Sequence, residues 1–210
     1  MERRGRQKAS EDKAQLPARA KGRERRRQIV ETAKQRLLAA GVEGLVLREI
    51  AEELGITHGN LQYYFATKSS LLGAIFDEEI VKYTDTMKNA LSATSTRQGR
   101  LATFLDSSID LLSIDEVRLW HILFGVAHQN PELAAILKRE NERYENTLCD
   151  ALGEIFPEMH TERRSHVAQM IRMLIDGLGI TVIYERPDSP RITALKSEIK
   201  VLLNTLLNLE

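Results

Sequence analysis

Residues 47–68 read LREIAEELGITHGNLQYYFATK, and the rest of the chain is best understood outward from them. A helix-turn-helix that enters the major groove of DNA needs two short helices held at a steep angle by a tight turn. That geometry requires a small residue where the helices meet, a turn residue that accepts positive φ, and apolar side chains facing inward from both helices. Ala51 is the small contact, and Gly55 supplies the turn because glycine has no Cβ to clash in left-handed backbone. Ile50, Leu54, Ile56, Leu61 and Tyr64 fall at the inward positions, and Thr57 stands where its hydroxyl can cap the second helix. An ordinary helical hairpin meets some of these requirements; the joint spacing favours the DNA-reading unit.

With that lock formed, His58, Gly59, Asn60, Gln62 and Tyr63 face outward from the second helix. Asn and Gln pair bidentately with adenine edges, while His and Tyr reach bases, methyl groups or phosphates. Gly59 lets the helix approach the groove closely, and Arg48 and Lys68, near the starts of the flanking helices, suit phosphate contacts. The expected partner is double-stranded DNA.

The flanking sequence is helical throughout. Residues 1–22 carry much charge, Ala and Gln and almost no large apolar residue, which predicts a disordered basic arm. From about Glu24 a helical face forms from Ile29, Ala33, Leu37 and Ala40, and Gly41 ends it. Thr67 caps a helix with the stripe Leu72, Phe76, Ile80, Tyr83, Met87 and Leu91, about 24 residues and roughly 36 Å long. After a polar loop at Ser92–Gly99, a helix is expected over Arg100–Leu112. Ser113 and Glu116 form a capping box for a helix running to His128, and Asn130-Pro131 starts another that ends before Pro157. A long helix over about Thr161–Glu185 and a last one from Ser189-Pro190 complete an all-α fold with no convincing strand or repeat. A three-helix helix-turn-helix domain at 23–76 would then precede a larger helical part at 77–210, the two meeting near Phe76.

Composition narrows the function. Forty-two per cent apolar residues in 210 support a substantial core. The net charge of zero hides an asymmetry: residues 1–76 carry 15 Lys or Arg against 9 Asp or Glu, and residues 77–210 carry 15 against 21. A basic end, with the run at Arg23, Arg25, Arg26 and Arg27, suits a polyanion, although a solvated charged terminus is the plainer explanation. Cys149 is the single cysteine, which excludes an internal disulfide and a cysteine-rich zinc site. The charged N-terminus does not resemble a secretory signal, and the longest apolar run, Met173–Tyr184, is interrupted by Asp176 and two glycines. A cytoplasmic protein without a membrane partner is expected. No nucleophile elbow, phosphate loop or zinc-protease helix occurs, so no catalytic residue, metal or cofactor is assigned. An enzyme using His121 and His128, with Asp176 and Cys149 the other titratable candidates, is a poor alternative. A constitutive DNA-binding protein with no effector is another.

Residues 25–76 resemble the N-terminal domain of the TetR (tetracycline-repressor) family, through LREIAEELGIT at 47–57, GNLQYYF at 59–65, Ala66-Thr67-Lys68 and Leu71-Leu72. The sequence departs from the family pattern at Gln62, where tyrosine is usual, and at Val46, where a capping Thr or Ser is usual. The resemblance implies a dimeric repressor of an inverted-repeat operator, released by a small molecule. It also implies that residues 77–210 form a larger helical regulatory domain for ligand binding and dimerisation, with a four-helix bundle between subunits built from the last two helices of each.

The residues themselves suggest where those functions would sit. Ile192, Leu195, Ile199, Leu202, Leu206 and Leu209 alternate three and four apart, a heptad-like seam for a homodimer, and Met170, Leu174, Gly177 and Leu178 add surface from the preceding helix. Gly177 and Gly179 in a helix interior suggest a close backbone approach. Core packing within one subunit would produce the same stripe. Trp120, His121, Phe124 and His128 share overlapping faces of one helix, with Phe104, Tyr144 and Met173 on neighbours, a mixture that suits an effector pocket or equally a core. Asp176 in an apolar run needs a partner or water.

Overall fold

The computed structural model describes residues 18–109 and 113–207, and among them it is helical with no strand. In chain order the helices are α1 (Ala18–Ala40), α2 (Leu47–Glu53), α3 (His58–Tyr64), α4 (Lys68–Ser92) and α5 (Arg97–Ile109). They continue with α6 (Ile114–Ala127), α7 (Pro131–Ile155), α8 (Thr161–Tyr184) and α9 (Pro190–Leu207). A 3-10 turn, Gly41–Gly44, follows α1, and Gly41 takes φ +65° to leave the helix.

Side-chain caps set most of the starts. Thr67 accepts from the Ser70 amide at 3.0 Å while the Ser70 hydroxyl accepts from the Thr67 amide, and Ser113 and Glu116 exchange bonds in the same way. The Asn130 carbonyl accepts from the Leu133 amide at 3.0 Å, with Pro131 in the first turn where its missing N–H costs nothing.

Two boundaries differ from the sequence reading. Residues 18–22, expected in the disordered arm, belong to α1; residues 1–17 of that arm lie outside the described residues. Packing accompanies the early start: a Cβ at Gly22 would lie 3.9 Å from the Tyr64 hydroxyl, and one turn on the Arg26 guanidinium lies 5.2 Å from the Phe65 ring centroid and 3.6 Å from Glu78. Helix α5 begins at Arg97 rather than Arg100, because the Thr96 hydroxyl accepts from the Gly99 amide at 3.1 Å. Leu112, the expected end of that helix, is outside the described residues.

The buried side chains form two clusters. One joins Ile29, Val30, Ala33 and Leu37 of α1 to Ile50, Ala51, Leu61 and the first half of α4, and it also takes in Leu119 and Leu123 of α6 and Leu133 and Leu137 of α7. The other gathers Met87 and Leu91, the far part of α4, with α5, the rest of α7, α8 and α9. Helix α4 therefore runs through both. So does α6, whose Val117 belongs to the second cluster. Polar contacts reinforce the junction: Arg118 donates to the Leu38 carbonyl at 3.1 Å, and Asn130 donates to the Ser69 hydroxyl at 2.9 Å. At Gly73 a Cβ would lie 2.8 Å from Ile136, so α4 and α7 touch as closely as they do only because that position is glycine.

Helix α8 departs from the sequence reading as well. It is long and apolar enough, by length and composition alone, to cross a membrane. The core helices of globular proteins share that property, and here Val167, Ala168, Ile171, Leu178 and Val182 are buried against the neighbouring helices.

Candidate functional site

The helix-turn-helix forms as its spacing requires. Ile50, Ala51 and Leu61 are buried, Leu54, Ile56 and Tyr64 pack half-buried against them, and Gly55 takes φ +62° in the turn. The Thr57 hydroxyl accepts from the Asn60 amide at 3.1 Å, which anchors the first turn of α3. Val46 precedes α2 with no side-chain cap, as its apolar side chain dictates.

The outward face is open. His58, Gly59, Asn60, Gln62 and Tyr63 are all exposed, Tyr63 by 83 %, and a Cβ at Gly59 would meet nothing within 4 Å. Arg48 is exposed, 3.5 Å from Glu52 one turn on. Lys68 is placed less freely than its sequence position suggests. Its half-buried ammonium donates to the Val42 carbonyl, fastening the 3-10 turn to the start of α4 and leaving two N–H groups for any phosphate. Beside this face the structure adds residues that the sequence reading left in the arm or on the α1 surface. A cleft between α1 and α3 is lined by Lys21, Arg25 and Gln28 on one side and Thr57, Asn60 and Tyr64 on the other.

A second concavity, about 510 Å³, lies between α4, α5, α6, α7 and α8. Trp120, His121, Phe124, His128 and Tyr144, expected in a pocket, line it together. Phe104 and Met173 do not. Phe104 is fully buried in the second core cluster because its face of α5 points at the interior, and Met173 is 63 % exposed on the opposite side of α8 from the buried stripe. Periodicity could not separate these cases, since core and lining residues of a helix can share an apolar face. The structure adds Tyr83 and Ile80 from α4, Ser108 from α5, and Arg172, Ile175, Asp176, Gly179 and Ile180 from α8.

The chemistry of this cavity is aromatic with isolated polar groups. The Trp120 and Phe124 rings stack with centroids 6.3 Å apart, and Tyr83 lies tilted 6.1 Å from Trp120. The Phe76 ring meets Trp120 edge-on at 4.6 Å and Phe124 at 6.3 Å, carrying the aromatic cluster into the core beneath the helix-turn-helix. Three buried polar atoms, the Tyr83 hydroxyl, the Ser108 hydroxyl and His121 Nδ1, have no hydrogen-bond partner among the described residues, and all three residues line the cavity. Burial, reinforced by the Glu116 carboxylate, pushes the Tyr83 phenol far above its ordinary value, so it stays a neutral donor. Burial and Asp176 do the same to Tyr144.

One wall carries charge. Arg172 Nη1 lies 2.7 Å from Asp176 and its Nε lies 2.6 Å from Glu145, so a single guanidinium serves two carboxylates. Asp176 thus has the partner that its burial demands. Burial still raises its pKa against the pull of Arg172, and Glu145 adds to the rise. Among the described residues no three His, Cys, Asp or Glu side chains form a group able to hold a metal. Cys149 is half-buried, with a free thiol.

The expected dimer seam divides in the structure. Leu178 is buried within its own subunit, packed into the second cluster with Ile192, because both lie on the inward faces of α8 and α9. Leu174, Ile199 and Leu206 are half-buried against the same cluster, whereas Met170, Leu195 and Leu202 are exposed and Gly177 faces open space. Gly179, read as a close backbone approach, makes only ordinary contact, since a Cβ there would lie 3.8 Å from Val117. Met173, Ile180, Ile183 and Tyr184 of α8 and Val201 of α9 enlarge the exposed apolar surface, and Leu209 lies outside the described residues.

Comparison with known proteins agrees with this geometry. Residues 29–75 match the family described as bacterial regulatory proteins, tetR family, and residues 97–203 match the BetI-type transcriptional repressor C-terminal domain. The HTH-type transcriptional regulator BetI of Stenotrophomonas maltophilia is 23 % identical over 159 residues, covering 74 % of this chain and 80 % of that protein. Among solved structures, a transcriptional regulator from Saccharomonospora viridis in complex with choline superposes with a TM-score of 0.67 at 20 % identity, over 86 % of this chain and 96 % of that one. The regulator FadR from Bacillus subtilis in complex with stearoyl-CoA gives 0.67 at 21 % identity, over 84 % and 96 %. At these identities the superpositions speak for the fold, whereas the family matches reach most of the chain. A helix-turn-helix with an open reading face, followed by a BetI-type helical domain, makes this chain a member of the TetR family of DNA-binding transcriptional regulators.

Proposed function

We propose that the protein represses transcription from an inverted-repeat operator and leaves it when a small molecule fills the α4–α8 cavity. The observation that carries this reading is the trio of unpartnered polar groups, Tyr83, Ser108 and His121, inside an aromatic enclosure. A buried polar atom left without a partner costs about 1–3 kcal/mol, and a ligand that supplies the missing bonds recovers that cost. The effector fits as an amphipathic molecule with a cationic head: aromatic faces attract cations, and Arg172 on the wall is shared between Asp176, which lines the cavity, and Glu145 behind it, two carboxylates against one guanidinium. The choline bound by the Saccharomonospora viridis regulator is a molecule of that class.

Operator contact falls to His58, Gly59, Asn60, Gln62 and Tyr63, with Arg48, Thr57 and Lys68 on the flanking backbone. Helix α6 joins α4 as the route between sites, since Trp120 and Phe124 face the cavity while Leu119 and Leu123 are buried with α1. A ligand that displaces Trp120 moves Phe76, and with it the base of the DNA-reading unit.

We further propose a two-fold homodimer through the exposed apolar faces of α8 and α9. Ile180, 52 % exposed, both lines the cavity and belongs to this surface, so the partner subunit would help close the site. Leu202→Asp and Met173→Asp should give folded monomers, because both side chains are exposed in the single subunit; a wild-type monomer at micromolar concentration by sedimentation refutes the dimer.

The test of release is reciprocal titration. Choline and longer alkyl-ammonium compounds are titrated with and without operator DNA. A hundredfold loss of DNA affinity requires the ligand to favour the released form by about 2.7 kcal/mol, and operator must then weaken ligand binding by the same factor. Equal ligand affinity in both titrations rules out this induction mechanism.

A further inference from the structure

We propose that the first turns of α1 form a phosphate-gripping rail beside the recognition helix, with Lys21 and Arg25 as its contacts. The basis is a cleft that runs from these two residues to Thr57 and Asn60, so the rail is continuous with the base-reading face. Lys21 and Arg25 are one helical turn apart, about 6 Å along the axis, and therefore point to one side of α1.

Charge pairing separates them from Arg26 and Arg27, and position separates them from Arg23, which does not line the cleft. Arg26 is held by Glu78 and the Phe65 ring, and Arg27 is bound by Glu24 through two bonds of 2.7 and 3.1 Å. Lys21 and Arg25 make no ion pair among the described residues. Glu24 also borders the cleft, but its carboxylate is already occupied by Arg27 and Gln28. The cleft thus presents two uncommitted cations on the side from which the duplex approaches. Gly22 lies between them on the inner stripe of α1, where a Cβ would come 3.9 Å from the Tyr64 hydroxyl, so this part of α1 rests directly on α3. A rail seated on the recognition helix follows it into the groove and grips the backbone without reading sequence.

The inference rests on α3 being the reading helix, and the experiment separates the two. Full-length wild type and the double variant Lys21→Ala/Arg25→Ala are titrated with operator and with a scrambled duplex of equal length at several salt concentrations. Both DNAs should bind the variant more weakly by the same factor. The log–log salt slope should become shallower by about 0.9 per lost phosphate contact, hence about 1.8 for each bound subunit. The charge-conserving pair Lys21→Arg/Arg25→Lys should restore the slope. An unchanged slope and affinity in a variant with wild-type circular dichroism overturns the rail. A loss confined to the operator with an unchanged slope also overturns it, since the residues would then be reading bases. If Asn60→Ala/Gln62→Ala retains full operator preference, the assignment of α3 fails, whatever the α1 variants do.

Discussion

The reading face of α3 and the cavity among α4–α8 are built in opposite ways. The first is convex and comes from one short helix, whose exposed side chains follow from the positions of Leu61 and Tyr64 against the core. The second is concave and draws on five helices, bringing Ile80 to one cavity with Asp176 and Ile180 from far along the chain. A local surface tolerates side-chain replacement without loss of fold, because nothing packs on it. A distributed cavity depends on every wall, and one of its walls, α6, also belongs to the core beneath the DNA-reading unit. The proposed sensing and reading sites are therefore joined by shared packing rather than by a linker.

The severest way to break that comparison is Phe76→Ala. Phe76 is fully buried and touches both Trp120 and Phe124, so its removal should destabilise the protein by about 3–5 kcal/mol in denaturant melts. Operator and effector binding should decline together; loss of one alone would mean that the regions are energetically separate.

Asn60→Ala and Gln62→Ala act on the convex side only. Each should cost about 1–3 kcal/mol of operator affinity with melting unchanged, because both side chains are exposed. Unaltered operator binding by the triple variant at Asn60, Gln62 and Tyr63 would refute the contact assignment.

Tyr83→Phe sharpens the concave side. Deleting an unpartnered buried hydroxyl should raise the stability of the unliganded protein by about 1 kcal/mol while weakening the effector, measured by paired melting and calorimetric titration. A less stable variant would show that the hydroxyl is already satisfied.

Glu116→Gln carries the smallest effect and the clearest sign. Burial alone would raise the Glu116 carboxyl, but Lys82 and the Ser113 amide and hydroxyl outweigh it and hold the pKa below its ordinary 4.5. Its ionised form therefore adds stability that is complete above pH 4.5 and is lost as pH falls through the lower folded value. The variant should lose about 0.5 kcal/mol of stability at neutral pH, with the gap closing in acid. A gap that does not narrow as pH falls below 4.5 would assign the effect to helix propensity.

Helix starts were legible because the signals are local: Thr57, Thr67, Ser113 and Asn130 each bond an amide three residues on, and Gly41 and Gly55 take positive φ where the chain must leave a helix. Five expected pocket residues do line the cavity; Trp120, His121 and Phe124 lie on α6 and His128 caps its end, where one helix face could be read from spacing, and Tyr144 comes from α7. Tyr83 was read only as part of the α4 stripe, and Ser108 carried no signal at all, since a lone serine in a helix says nothing about what lies opposite. Phe104 and Met173 went astray for the same reason.

Sequence alone determined the helical order, the helix-turn-helix and its outward face, because caps, turn glycines and apolar spacing act within a few residues and need no distant partner. Tertiary structure decided the rest. It drew Lys21 and Arg25 to the side of α3, turned Leu178 inward and Met173 outward on the same helix, and paired Arg172 with both Asp176 and Glu145. Each of these depends on which helix packs against which face, and periodicity shows that a face is apolar without saying what covers it.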